Sequence, residues 1–417
     1  MRRAVPAADS IQAHLAKTRL APLHREWLPA REAGLVARLR AVPAVGARNI
    51  LLLNATKGAQ FYASTIDFFV QLRRAQPSVR VTSASYFAEI HEFGPGVVEK
   101  GLPVWTVAQV DAATTDMLNQ YELVLAFGPS EALFRLCQRP GLRAQVVLVD
   151  LGFYHQVLDA EREGGSVRPE PCRPAGLHPV VGYSCQAERK VIADFSPWIV
   201  LDRVDWRWFN YIPIGFRYAN YYRTEHPIYD IALLGSSGRD YRDLDPRRLR
   251  GKKILFLGDA SNALNLAPGE GQWEITFAPR LSSDAYLRML ALCRCVVLPM
   301  RRFPIGKGEI SLLPDNVLLS VVDALASGVP IITPLRGGML RLIAQQAPIT
   351  VYNDGNNRWS WLKPPPAHLA NAINSVLQDE SRRIDLSRSS ITFARGQMDM
   401  YTLLETIWRE QIAPATS

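Results

Sequence analysis

Hydrophobic positions along the first half of the chain alternate between two patterns. Strand candidates occur at Ile50 to Leu53, Val79 to Ser83, Val104 to Val107, Leu123 to Ala126 and Val146 to Val149, the first and the last two as continuous apolar runs. Runs of this length suit strands buried on both faces, as in a parallel sheet covered by helices. Between the first two lies Tyr62 to Arg74, whose apolar residues recur at helical spacing, reached through the turn Asn54-Ala55-Thr56-Lys57-Gly58. Strand, glycine turn and helix in alternation predict an α/β domain with a parallel sheet. Arg162 to Pro179 is rich in Gly, Pro and charge and reads as a loop or insertion. A strand at Val180 to Tyr183 and a helix at Ala187 to Asp194 follow it.

The pattern then restarts. Strands are predicted at Tyr229 to Leu234, Lys253 to Leu257, Glu274 to Phe277, Cys295 to Leu298, Ile331 to Thr333 and Ile349 to Tyr352, with helices at Ser283 to Cys293, Asn316 to Ser327 and Pro366 to Gln378. The predicted fold class is α/β, with two tandem Rossmann-like parallel-sheet domains. The expected boundaries are a helical N-terminal extension over 1–48, a first α/β domain over 49–215, a linker over 216–228, a second α/β domain over 229–395 and a terminal helical segment over 396–417. The extension is arginine-rich, with Ile11, Leu15, Leu20, Leu35 and Leu39 at helical period, which suits a docking helix or a membrane-surface helix. Trp206, Trp208, Phe209, Tyr211, Tyr218, Tyr221 and Tyr222 crowd the boundary between the halves, as interdomain packing or as a platform for sugar rings. The terminal segment carries an apolar face of Met400, Leu403, Leu404, Ile407 and Trp408.

Composition narrows the classes. With 417 residues, 48% hydrophobic and 21% charged, the chain is neither disordered nor collagen-like. Lysine and arginine number 48 against 39 acids, a formal charge of +9 that favours an anionic partner. No basic repeat interleaved with aromatics and no helix-turn-helix pattern occurs, so nucleic acid is not the expected partner. Five cysteines, an odd number without a CxxC pair, argue against a disulfide scaffold or a zinc ribbon and for a reducing cytoplasm. The basic start has no apolar stretch of signal-peptide length, and no window reaches about 18 uninterrupted apolar residues. The alanine- and arginine-rich composition is of a bacterial type.

Candidate chemistry gathers after strands, where glycine turns expose backbone N–H groups to anions. Gly235-Ser236-Ser237-Gly238-Arg239-Asp240 directly follows a predicted strand and offers two glycines, two hydroxyls and a fork-shaped cation. Neither a GxGxxG fingerprint nor a P-loop is present. Arg301, Arg302, Lys307 and the glycines Gly306 and Gly308 follow the strand ending at Leu298, and the cations suit a diphosphate. Asp315, Asn316 and Asp323 mark a predicted helix, the two acids eight residues apart, a little over two helical turns. In the first domain Lys57 and Gly58 occupy the first turn as an acceptor or phosphate contact. Asp150 and His155 follow the strand Val146 to Val149.

The segment from Asp315 to Ile332 resembles the acidic-pair motif of GT-B nucleotide-sugar glycosyltransferases, in which E-x7-E is followed by A-x-A-x-G-x-P-V-I. Here the pair is Asp315 and Asp323, and Ala324 to Ile331 matches the tail. Tyr211 to Phe216 resembles the family's interdomain segment, Gly235 to Tyr241 a glycine-rich turn opening its donor domain, and Thr276 to Met300 a further stretch of that domain. The likeness runs in order over roughly 49–410 and is specific over about 229–335. It departs in having aspartates for both glutamates, and Val317 and Leu318 where the family usually has glycine; either the phosphates are held elsewhere, by Arg239, Arg301 and Lys307, or the site has drifted from activity.

The resemblance implies two domains facing a cleft, with the terminal helix crossing back to the first. It implies transfer of a sugar from a nucleoside-diphosphate sugar to an acceptor hydroxyl on a glycan, a lipid-linked saccharide or a small molecule. It would give Asp323 the donor ribose and Asp315 the hydroxyls of the donor sugar. Arg239, Arg301 and Lys307 would stabilise charge on the leaving diphosphate, and an inverting enzyme would draw its base from Asp150 or, second, His155. The nucleotide sugar is a co-substrate, and neither a cofactor nor a metal is expected. A cytoplasmic protein, with peripheral association at the inner membrane face through its basic start, is the expected setting. Two rival readings are a non-catalytic nucleotide-sugar or carbohydrate-binding protein and a nucleotide-sugar epimerase of the same fold.

Overall fold

In a computed structural model the described residues are 15, 18–42, 49–54, 59–85, 102, 104–105, 107–127, 139–149, 180–184, 204–208, 221–234, 241, 244, 247–258, 274–278, 281, 283–299, 316–334, 346–352, 369–398 and 400–412. The chain forms two compact units. One comprises Trp27–Arg217 with Asp399–Ser417, the other Met1–Glu26 with Tyr218–Met398.

The segment expected as a helical extension is divided between the two units. It holds β1 (Ala21–Pro22), which belongs to the later unit, and α1 (Trp27–Arg40), which belongs to the earlier. In the earlier unit β2 (Asn49–Asn54), β3 (Arg80–Ser85), β4 (Val104–Trp105), β5 (Leu123–Phe127), β6 (Gln145–Val149), β7 (Val180–Ser184) and β8 (Val204–Trp208) form one parallel sheet. Its order is β4-β3-β2-β5-β6-β7-β8. Ile50 to Leu53 and all of β5 are buried, as continuous apolar strands require. The helix α2 (Ala59–Ala75) connects β2 to β3, and α3 (Val107–Asp111) and α4 (Thr115–Leu118) precede β5. On one face Leu51, Leu53, Val124, Ala126, Val146 and Leu148 pack with Val110, Leu118 and Leu142. Each of these leucine and valine side chains, buried, stabilises the fold by about 1.5–3 kcal/mol.

In the later unit β9 (Tyr222–Arg223) pairs antiparallel with β1, Pro22 opposite Tyr222. A parallel sheet follows: β10 (Tyr229–Leu234), β11 (Lys253–Leu257), β12 (Glu274–Ala278), β13 (Cys293–Val297), β14 (Ile331–Pro334) and β15 (Ile349–Tyr352), in the order β12-β11-β10-β13-β14-β15. The helix α5 (Ser283–Ala291) precedes β13 and α6 (Asn316–Ala326) precedes β14, while α7 (Leu369–Leu377) and α8 (Glu380–Gln397) close the unit. Ile231, Leu233, Ile254, Phe256, Cys295 and Val297 form its core with Tyr241, Ile373 and Val376. Tyr222 fastens β9 to α5, its hydroxyl donating to Asp284 Oδ1 at 2.5 Å, while Arg288 Nε donates to Asp284 Oδ2 at 2.6 Å.

Several element limits shift. Of the strand expected over Val104 to Val107, Val104 and Trp105 are described as paired, with Ser83 and Ala84, and Val107 already begins α3. The helix expected to Cys293 ends at Ala291, where Leu292 N–H donates to Met289 O, and β13 starts two residues before Cys295, with Cys293 opposite Tyr229. The terminal helix expected from Met398 starts as α9 (Met400–Ile407) and finishes as a π-turn over Trp408–Ile412. Met398 instead caps α8, its N–H donating to Ala394 O. The sequence reading missed β1, β8, β9 and α8. The stretches Arg162 to Pro179, Ala187 to Asp194 and Tyr211 to Phe216 lie outside the described residues.

Candidate functional site

In each sheet the strand order reverses once. In the later sheet the chain moves outward from β10 to β11 and β12, then returns to lay β13 on the other side of β10. In the earlier sheet the reversal lies between β2 and β5. At such a switch point the connections leave the carboxyl ends of two neighbouring strands in opposite directions. The crevice between them is where open parallel sheets bind ligands.

The candidate residues map onto these edges by connectivity. Gly235 to Asp240 begins at the carboxyl end of β10, directly after Leu234. The segment bearing Arg301, Lys307 and Gly308 begins beyond β13, after Leu298 and Pro299. The two strands are adjacent, Leu233 opposite Val297, so both segments leave one end of the sheet about 5 Å apart. In the earlier unit Lys57 and Gly58 follow β2 at its switch point, and Asp150 and His155 follow β6, next to β5. Gly235, Ser236, Ser237, Gly238, Arg239, Arg301, Lys307, Gly308, Asp315, Lys57, Gly58, Asp150 and His155 themselves lie outside the described residues.

The acidic-pair helix is described from its first residue. α6 starts at Asn316, so Asp315 directly precedes its N-terminal end, where backbone N–H groups face outward. Asp323 lies seven residues further, about 10 Å along the axis. Val321, Val322, Asp323, Ala324, Leu325 and Ala326 all have no accessible surface. A helix buried on every side must be apolar all round, which explains the sequence Val-Val-Asp-Ala-Leu-Ala with one acid in it. A buried carboxylate persists only where it is paired or hydrogen-bonded, and Asp323 does have an interaction partner.

The end of α6 is fixed by local chemistry. Val329 N–H donates to Ala324 O at 2.9 Å and Gly328 N–H to Leu325 O at 3.0 Å, a Schellman closure. Gly328 sits at φ +65, and a Cβ there would lie 2.8 Å from Ile391 Cδ1 on α8. Only glycine meets both conditions. The remaining carbonyl, Ala326 O, takes 2.7 Å from His24 Nε2, and Arg395 Nε lies 3.1 Å from His24 Nδ1. Because the guanidinium has only donors, Nδ1 is the acceptor and Nε2 carries the proton. Burial, only partly offset by the Ala326 hydrogen bond, and then the Arg395 charge lower the His24 pKa from 6.5 to about 4.

Sequence reasoning missed His24 and Arg395. They lie 302 and 69 positions from Ala326, and a single histidine and a single arginine in polar surroundings carry no pattern. The two described cysteines, Cys293 and Cys295, are buried on β13, and burial pushes the Cys295 thiol up to about 12. They are packing groups and not nucleophiles.

No protein-family model and no curated protein matches the sequence. Solved structures do. A glycosyltransferase from Rickettsia africae ESF-5 superposes with a TM-score of 0.56 at 10% identity, over 89% of this chain and 100% of that one. Sucrose-phosphate synthase from Thermosynechococcus elongatus gives 0.51 at 14% identity, over 87% and 98%. WaaG, a glycosyltransferase involved in lipopolysaccharide biosynthesis, gives 0.51 at 15% identity, over 86% and 98%. The fold is therefore shared along nearly the whole of each chain, as two tandem Rossmann-like units of the GT-B type.

Proposed function

We propose that the protein is a glycosyltransferase that takes a sugar from a nucleoside-diphosphate sugar and places it on an acceptor hydroxyl. The observation that carries this is the later sheet's switch point. The glycine- and arginine-bearing segment after β10 and the basic segment after β13 leave neighbouring strand ends, and the second of them leads into α6.

The chemistry follows from charge. Breaking the bond between sugar and diphosphate leaves negative charge on the departing phosphate, so cations aimed there lower the barrier. Arg239, Arg301 and Lys307 take that role in place of a metal. Asp315 receives hydroxyls of the donor sugar and Asp323 those of the ribose. Since Asp323 has no accessible surface, ribose contact requires its side chain to be uncovered on binding. Asp150, or His155 behind it, removes the proton of the acceptor hydroxyl. Lys57 and Gly58 contact the acceptor or the phosphates. The acceptor is a glycan, a lipid-linked saccharide or a small molecule, met in the cytoplasm, with peripheral membrane association through the basic start. No helix among the described residues is long and apolar enough to cross a membrane. A truncation testing that association should stop before residue 15, since Leu15 is buried, Pro22 pairs with Tyr222 and His24 bonds to Ala326 O.

The test is release of nucleoside diphosphate from UDP-, GDP- and dTDP-sugars, with and without acceptors, in the presence of EDTA. Turnover of one donor class, undiminished by the chelator and reduced at least about 100-fold in Arg239→Ala, is expected for a lost transition-state contact. A second reading, binding without catalysis, draws on Val317 and Leu318 in the first turn of α6. Saturable binding with no turnover across the donors and acceptors would favour it.

A further inference from the structure

The chain passes between its two units three times, at Glu26–Trp27, Arg217–Tyr218 and Met398–Asp399. Within the later unit, residues a few positions from each passage meet. Leu23 N–H donates to Tyr221 O at 2.8 Å, joining the first passage to the second. Arg395 Nη2 donates to Leu23 O at 2.9 Å and Arg395 Nε to His24 Nδ1 at 3.1 Å, joining the third to the first. The His24 and Tyr221 rings stand edge to face, with centroids 5.6 Å apart. From this knot His24 Nε2–H donates into the interior, to Ala326 O at 2.7 Å. Its acceptor is a carbonyl of the last turn of α6, three residues after Asp323.

We propose that His24 is a positioning residue for the nucleotide-sugar site, holding α6 in register with the three segments that join the units. The assignment rests on the donor-site reading of the preceding subsection. The geometry gives the reason. The last four carbonyls of a helix lack partners within it. Ser327 N–H takes Asp323 O, Gly328 N–H takes Leu325 O and Val329 N–H takes Ala324 O, which leaves Ala326 O to His24. His24 is 1% exposed, so water does not replace it there. Any displacement of the joining segments therefore reaches the carbonyl frame that sets Asp323. The imidazole suits the task because it donates on one side and accepts on the other, which glutamine also does and leucine does not.

Donor KM and kcat are measured for wild type, His24→Gln and His24→Leu, with Arg395→Gln as a second route to the same knot. Hydrogen exchange is followed over 316–329 and, as an internal control, over 49–54 and 123–127. The Leu variant should raise donor KM about tenfold, the effect of losing one buried hydrogen bond, with kcat within about twofold. Its exchange should quicken over 316–329 and not in the control peptides. The Gln variant should restore both. Unchanged KM in His24→Leu, or unchanged exchange over 316–329, overturns the proposal. So does a Gln variant no better than Leu. If His24→Leu does not fold, Arg395→Gln decides by the same readouts. A wild-type protein that binds and turns over no nucleotide sugar, with exchange over 316–329 still quickened in His24→Leu, means that the donor-site reading has failed and the anchoring contact has not.

Discussion

His24 is neutral in the folded protein near neutral pH, with a pKa of about 4 against 6.5 for an unburied histidine. A depressed value means that the unfolded chain takes up its proton first as the medium is acidified. The stability linked to this ring is therefore complete above pH 6.5 and is lost as pH falls from 6.5 towards 4. Thermal denaturation between pH 7 and 4.5 should show a steeper decline for wild type than for His24→Gln, and parallel curves would refute the assignment. Glu380, held below the usual carboxylate range chiefly by its hydrogen bond from Arg383, gives up its own contribution at lower pH than His24 does. Gly328 offers a second residue-level test. Alanine there meets both a left-handed backbone and the Ile391 side chain, and should lower stability by about 2–4 kcal/mol. Gly251 has φ +75 with nothing within 4 Å of an added Cβ, so Gly251→Ala should cost only the backbone part, about 1–2 kcal/mol. Urea denaturation of both variants separates steric from conformational cost. Equal losses would contradict the close packing of α6 on α8.

Among the elements, α6 was legible in the sequence and α8 was not, for opposite physical reasons. α6 is apolar all round, and its closing Gly328-Val329-Pro330 spells out both the C-cap and the next strand. α8 reads Glu-Ser-Arg-Arg-Ile-Asp-Leu-Ser-Arg-Ser-Ser, with almost no apolar period, yet it packs on α6. Its buried face is Ser387, Ser390, Phe393 and Ala394, chiefly small residues that admit a neighbouring backbone closely. A search for hydrophobic repeats passes over such a face. β8 escaped for a related reason, since Val-Asp-Trp-Arg-Trp alternates and ends the sheet beside β7 alone. The apolar face of α9 was legible in the sequence, but its polar fastening was not. Glu405, 9% exposed, accepts from Arg38 Nε on α1 at 3.0 Å and from Arg409 Nη2 at 2.9 Å. Arg31 lies 3.9 Å above the Tyr401 ring in the same contact. Glu405→Ala should cost about 1.5–3 kcal/mol and open the C-terminal segment to limited proteolysis before the rest of the chain. Resistance equal to wild type would show that the apolar contacts suffice.

For the whole molecule, the sequence disclosed the class of fold because parallel sheets need continuous apolar strands, and these stand out at Ile50 to Leu53 and Leu123 to Phe127. It did not disclose the strand order, since pairing partners such as β10 and β13 are separated by more than fifty residues of other elements. That order is what starts the segment after Leu234 and the segment after Pro299 at one end of one sheet. Of the candidate site, the acidic-pair helix was legible through its tail from Ala324 to Ile331. The knot of His24, Tyr221 and Arg395 was not, because it joins three distant stretches through single polar contacts. The central claim is that the later sheet's switch point grips a nucleoside diphosphate. Its most direct test is the thermal shift of wild type, Arg239→Ala and Asp323→Ala with saturating UDP-, GDP- and dTDP-sugars. The prediction is a rise in melting temperature for one nucleotide class in wild type, absent from both variants even though each is folded without ligand. No rise with any nucleotide sugar, or an equal rise in all three proteins, would contradict it.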